Sequence, residues 1–340
     1  MISSEFPASL PDDAHAWPRL SGHDPRWLES LRDGFGHTCY VVAVEGDDGR
    51  TLGIVPLCLV TSRAFGRFLV SLPYLNSAGI WTDSPDVACQ LVDQAVALAD
   101  ELDVKHLELR HEVPIDHPKL NLRRTDKVHM RLALNESPEA QMKSYKSKLR
   151  SQIKKNSENP FEIHFGAEDL LPEFYSVFAT NMRDLGTPVY SKTLFLSILQ
   201  NFGPEAAELA IVRLHGKAVA GALLIHQRGT SEVPSASSLR AFSSTGANLW
   251  MYSKLLDRAI EKESQWFDFG RSTVGSGTFK FKEQWGAKPH PAVWQYYVRK
   301  GDPADMRPDS PRKQKLIQAW QRLPVWLSKI LGPPIVRGIP

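Results

Sequence analysis

Trp266-Phe267-Asp268-Phe269-Gly270-Arg271-Ser272 runs, two residues later, into Gly275-Ser276-Gly277-Thr278-Phe279-Lys280-Phe281-Lys282-Glu283-Gln284-Trp285-Gly286. The first part reads as a short apolar strand with an acid threaded through it. A buried carboxylate is costly unless it has partners. The glycine-rich turn that follows lets backbone N–H groups approach a ligand. Alternation puts Phe267 and Phe269 on one face and Asp268 on the other. Asp268 is thus a candidate to orient or deprotonate an amine, or to hold an arginine. The alternative is a structural ion pair with Arg271 or Arg183. Read as extended chain, 279–282 places Lys280 and Lys282 together on one side. A lysine set between aromatics can fix a phosphate or carbonyl oxygen. The alternative is a solvated face with buried stems.

Outward from that stretch, a second unit begins near Asn135. Pro138–Asn156 reads as one basic helix, with Lys143, Lys146, Arg150 and Lys154 on one face. That face suits the phosphates of a tRNA or of a nucleotide-linked sugar, or is simply solvated. Phe161–Phe165 is a strand. Pro172–Leu185 is a helix that buries Phe174, Phe178, Met182 and Leu185 and stops at Gly186. Asn181, Arg183 and Asp184 cluster at its end, either as the wall of a site or as a C-terminal cap. Leu209–Leu214 and Ala218–His226 form a hairpin, Asn248–Lys262 an amphipathic helix and Val293–Val298 a last strand.

The first unit repeats this plan. Thr38–Glu45 and Leu52–Leu59 form a hairpin about Gly46-Asp47-Asp48-Gly49. Ser84-Pro85 opens a helix to Glu101, and Val104–Arg110 and His129–Leu134 are strands. The expected fold is therefore α/β (α+β): two copies of one unit, each a mostly antiparallel twisted sheet flanked by helices. The expected organisation is an irregular segment 1–36, a first domain 37–135, a second domain 136–300 carrying the site, and a tail 301–340 with one short helix.

The chain has 340 residues, a net charge of +3 and three cysteines. That length suits two domains, and that charge excludes a general polyanion binder. Cys39, Cys58 and Cys89 form no CxxC pair, which points to a reduced, cytoplasmic protein. No signal peptide and no spanning segment is read, which leaves contact with a membrane surface open. P-loop, HExxH, GxSxG and dinucleotide fingerprints are missing, and the scattered histidines predict no metal site.

The segments Asn181–Gly186 with Thr187-Pro188-Val189-Tyr190, Val233-Pro234 with Ser237-Ser238-Leu239-Arg240, Phe267–Ser272 and Phe279–Gly286 together resemble the FemAB-like acyltransferases. Phe65-Gly66-Arg67, Ser71-Leu72-Pro73-Tyr74 and Leu107-Glu108-Leu109-Arg110 fit the branch associated with PEP-CTERM/exosortase exopolysaccharide systems. The resemblance implies two tandem GNAT-like domains and transfer of an acyl or aminoacyl group to an amine. It implies an acyl-CoA, acyl-carrier or aminoacyl-tRNA donor and no tightly bound cofactor. It implies a small-molecule, nucleotide-linked sugar or peptide acceptor of exopolysaccharide or cell-envelope synthesis. Better-studied relatives use aminoacyl-tRNA and a peptidoglycan precursor, and a Phe-Lys pair lies at their reaction centre. Phe281 and Lys282 match that pair. The long helical arm of the tRNA-using relatives has no counterpart between 156 and 161. On this basis Lys282, Asp268 and Arg271 are the expected reaction centre. Asn181, Arg183, Asp184, Tyr190, Ser237, Asn248, Ser272, Gly275, Gly277, Thr278, Lys280, Phe281 and Trp285 are the expected substrate contacts. The alternatives are a peptidyltransferase of the FemX type, meeting tRNA through Lys143, Lys146, Arg150 and Lys154, and a non-catalytic precursor-binding module.

Overall fold

The computed structural model describes residues 1–11, 16, 17, 19–301 and 311–339. It divides into two compact units. One comprises Met1–Lys127, Pro291–Pro311 and Pro334–Pro340, the other Val128–His290 and Arg312–Pro333. The chain opens with β1 (Ile2–Ser3), α1 (Pro25–Phe35), β2 (Thr38–Glu45), β3 (Thr51–Ser62), β4 (Gly66–Val70) and β5 (Trp81–Thr82). Next come α2 (Pro85–Glu101), β6 (His106–His111), β7 (Leu122–Ala133), α3 (Pro138–Ser144), α4 (Ser147–Asn156) and β8 (Phe161–Gly166). Then follow α5 (Leu171–Leu185), α6 (Lys192–Phe202), β9 (Ala207–Leu214), β10 (Lys217–Gln227), β11 (Thr230–Ser238) and α7 (Ala247–Glu261). The chain closes with β12 (Trp266–Thr273), α8 (Gly277–Glu283), β13 (Lys288–Val298), α9 (Pro311–Gln321) and α10 (Val325–Val336).

In the first unit the strand order is β1-β2-β3-β4-β6-β13, with β5 beside β3. The neighbours are antiparallel except β4 and β6, which are parallel. Ser84 caps α2 by accepting from Val87 N, and Pro85 takes the first turn. Its stripe of Ala88, Leu91, Ala95 and Leu98 packs on Val42, Val55 and Leu107.

In the second unit the order is β7-β12-β11-β10-β9-β8. β8 to β11 are antiparallel neighbours, whereas β11 and β12 are parallel, joined through α7. Leu255, Leu256 and Ala259 of α7 pack over Ala222, Leu224, Phe267 and Phe269. Burying apolar area of this kind contributes about 25 cal/mol per Å² and holds the strand ends in place.

Several elements differ from the sequence reading. The basic helix is broken: Tyr145 takes extended backbone and buries its ring edge-on to Trp285, 5.4 Å between centroids. Lys143 therefore lies on α3, while Lys146 precedes α4 and Arg150 and Lys154 lie on it. Leu185 is exposed rather than buried. The tail carries two helices rather than one, and its residues 302–310 lie outside the described residues. Among the described residues no helix is long and apolar enough to cross a membrane.

Candidate functional site

β11 has an extra residue where it passes β10. Its register with β10 shifts between Leu223 and Ile225, opposite Val233 and Pro234. Proline has no N–H for the ladder, so it is tolerated at such a bulge. The bulge bends β11 just where its pairing with β12 stops. Thr230, Ser231 and Glu232 pair with Trp266, Phe267 and Asp268, and the ladder ends there. Yet β11 continues to Ser238 and β12 to Thr273. The two parallel strands therefore part beyond Asp268, at their carboxyl ends.

Asp268 marks the opening. It is 8% exposed. Its Oδ2 accepts from Arg131 Nε on β7 at 2.8 Å, and its Oδ1 accepts from Gly270 N at 2.7 Å. Arg131 is thus an ion-pair partner that the sequence reading did not offer. Arg183 is held by Asp184 at 2.7 Å and donates to Leu323 O at 2.7 Å. Gly270 sits at φ +76, a conformation that a side chain disfavours.

Residues 277–283 are helical, not extended. Ser276 caps α8, its Oγ accepting from Phe279 N, and that cap outweighs the period-two pattern of Phe and Lys. Lys280 and Lys282 consequently diverge. Lys280 is exposed, whereas Lys282 is 8% exposed. Lys282 Nζ donates to Gly270 O and Arg271 O, each at 3.1 Å. Burial lowers its pKa to about 8; Asp268 opposes that shift and Arg271 adds to it. Lys282 and Asp268 thus lie with Arg271 at the end of β12.

On the other side of the opening, Asn181 of α5 donates to Ser237 Oγ of β11 at 3.1 Å. Asn248 lies in the first turn of α7, which starts from the same strand ends and has no acid in that turn. A Cβ on Gly246 would lie 2.2 Å from the Asn156 amide, so the entry to α7 requires glycine. The turn at Gly275, Gly277 and Thr278 is exposed, with open space around both glycines. Ser272 is buried, and its hydroxyl has no hydrogen-bond partner among the described residues. Trp285 is buried in the core against Tyr145 and does not line the opening; Phe281 packs edge-on to Tyr252. Tyr190 is half-buried, its carbonyl accepting from Tyr175 OH.

Sequence reading missed Arg131. The one signal for it was alternation, which puts it opposite buried Met130 and Leu132. A Ser231–His226–Glu208 chain at 2.7 and 3.0 Å resembles a nucleophilic triad. It lies at the opposite end of β11, Ser231 is fully buried, and Arg258 clamps Glu208 through two nitrogens. Among the described residues no group of three or more His, Cys, Asp or Glu side chains is placed to hold a metal.

Residues 143–283 match the family model of the acetyltransferase (GNAT) domain. No curated protein matches the chain. The crystal structure of FemX superposes with a TM-score of 0.65 at 15% identity, over 91% of this chain and 96% of that one. A tandem GNAT protein from the clavulanic acid biosynthesis pathway gives 0.52 at 13%, over 85% and 91%. The C-terminal domain of a proposed lysylphosphatidylglycerol synthetase from Agrobacterium fabrum gives 0.53 at 13%, over 83% and 89%. The fold is GNAT-like, the type of acyl-group transferases.

Proposed function

We propose that this protein is an N-acyltransferase. It moves an acyl or aminoacyl group from a thioester or ester donor to an amine, in exopolysaccharide or cell-envelope precursor synthesis. The observation that carries the reading is the parting of β11 and β12 beyond Asp268, with buried Lys282 at its mouth. Strand edges that part this way leave backbone groups for an amide-bearing donor arm. The N-terminus of α7, free of acids in its first turn, suits donor phosphates.

The amine nitrogen attacks the donor carbonyl and negative charge gathers on the carbonyl oxygen; as the carbonyl re-forms, the C–S or C–O bond to the donor breaks, and the proton lost by the nitrogen goes to the leaving thiolate or alkoxide. Below pH about 8 Lys282 is a cation positioned to stabilise that carbonyl oxygen or an adjoining phosphate. Both oxygens of Asp268 are engaged, so its role is positioning: with Arg131 it fixes the Gly270 turn whose carbonyl receives Lys282. Arg271 and the 275–278 turn border the donor, and Asn181 and Ser237 the acceptor. Holding the partners in register supplies the rest of the acceleration.

Incubation with acyl-CoA, acyl-carrier and aminoacyl-tRNA donors plus a panel of amines, read by mass spectrometry, tests the reading. Transfer by the wild type that Lys282→Ala loses is expected. Ligand binding without turnover across the panel would instead make the chain a binding module. Transfer from aminoacyl-tRNA alone would favour the FemX-type alternative.

A further inference from the structure

We propose that the C-terminal helices dock on an anionic lipid bilayer, lying flat among its headgroups. Charge is segregated along the chain. Residues 311–340 hold six Lys and Arg and no Asp or Glu, while residues 1–310 hold 35 against 38. The same segment concentrates exposed apolar side chains. Trp326 and Ile330, one turn apart on α10, are 64% and 61% exposed, with Leu331 beside them at 42%. Leu316 on α9 is 66% exposed. Large apolar side chains gathered in one segment mark a docking surface.

The opposite face of α10 is held down. Ser328 is buried, and a Cβ on Gly332 would lie 2.7 Å from Val189 N, so the helix lies close to that backbone. The turn between the helices is pinned, because Leu323 O accepts from Arg183 and Asp184 O accepts from Gln321. The apolar face is therefore presented by a fixed element.

Charge and chemistry choose the partner. A second copy meeting this segment about a two-fold axis would set the basic residues of one acid-free tail against those of the other. An anionic bilayer complements them, each basic residue near the surface adding a factor of about five. Tryptophan favours the headgroup level, and a helix of 12 residues is too short to span.

Flotation of the full chain tests this, using phosphatidylcholine vesicles with and without roughly 30% phosphatidylglycerol. Co-flotation with the anionic vesicles, weakened by added salt and at least about tenfold stronger than for Trp326→Ser/Ile330→Ser, is expected. Both positions are exposed, so the variant should keep the wild-type melting temperature. No flotation, equal flotation of the two proteins, or equal binding to neutral vesicles would overturn the proposal. So would a lipid-free dimer that the double variant dissolves, which would give the face to a second copy.

Discussion

Each unit has a parallel strand pair among its described residues, and the two pairs end differently. In the first, Phe68, Leu69 and Val70 pair with His106, Leu107 and Glu108. In the second, Thr230, Ser231 and Glu232 pair with Trp266, Phe267 and Asp268. An acid closes each ladder, at Glu108 and at Asp268. Two residues further on, the first unit has Arg110 and the second has Gly270. Arg110 binds Glu108 at 2.6 Å, donates to Leu72 O and Leu75 O, and stacks 4.1 Å from the Trp294 ring. Its own N–H donates to Ser71, and its carbonyl accepts from Ala78 N. The chain after β4 thus folds back over the strand end, through positive-φ turns at Leu72 and Tyr74. Gly270 has no side chain to fill the same place. One pair is plugged by its own guanidinium and the other stays parted. On the proposed reading, the plugged pair serves as scaffold and the parted pair carries the chemistry.

The largest expected effect breaks the plug. Arg110→Ala leaves Glu108 buried and unpaired, and should cost about 3–5 kcal/mol in urea unfolding. Activity per folded molecule should be retained. A loss of activity without a loss of stability would put the first unit in the reaction.

Acid should act on the first unit next. Burial holds His23 and His37 down to about 4 and His111 to about 3. The unfolded rings titrate near 6.5, so between there and the folded values the unfolded chain binds more protons. Stability is fully present above pH about 6.5 and falls as pH drops below it, by up to about 1.4 kcal/mol per pH unit for each ring. Urea midpoints at pH 7 and pH 5 measure this, and substituting the three rings should flatten the slope.

Arg131→Ala should lower kcat about tenfold, an effect comparable to losing an orienting contact, with little change in KM. Arg131→Lys should restore part of it. A change in KM alone would contradict a positioning role. The smallest effect belongs to Gly270→Ala, about 1 kcal/mol from the Cβ at positive φ, read as a shift in melting temperature.

Parts of the fold and of the candidate site were legible from residue order, and the contrast itself was not. Ser84-Pro85 gave the start of α2, and the 266–271 strand lies inside observed β12, because cap chemistry and apolar runs act locally. β11 was missed. Its Thr-Ser-Glu-Val-Pro-Ser-Ala-Ser-Ser sequence is held by backbone pairing to β10 and carries one large apolar residue. With β11 unread, the parting of the strands was invisible, although Val233-Pro234 was already singled out. α8 was misread because Phe-Lys-Phe-Lys alternates with period two while the cap at Ser276 sets a helix. Asp268, Arg271 and Lys282 lie within one short stretch, but Arg131, 137 positions from Asp268, had only its own alternation to mark it and nothing to link it to that acid.

The pH dependence of kcat/KM for wild type and Lys282→Ala tests the central claim most directly. If a buried cation at the parted strands drives the transfer, the wild-type rate should fall as pH rises through about 8, where Lys282 loses its proton. Lys282→Ala should lack that limb and run about a hundredfold to a thousandfold slower at neutral pH. A wild-type rate unchanged across pH 8, with Lys282→Ala equally fast, would contradict it.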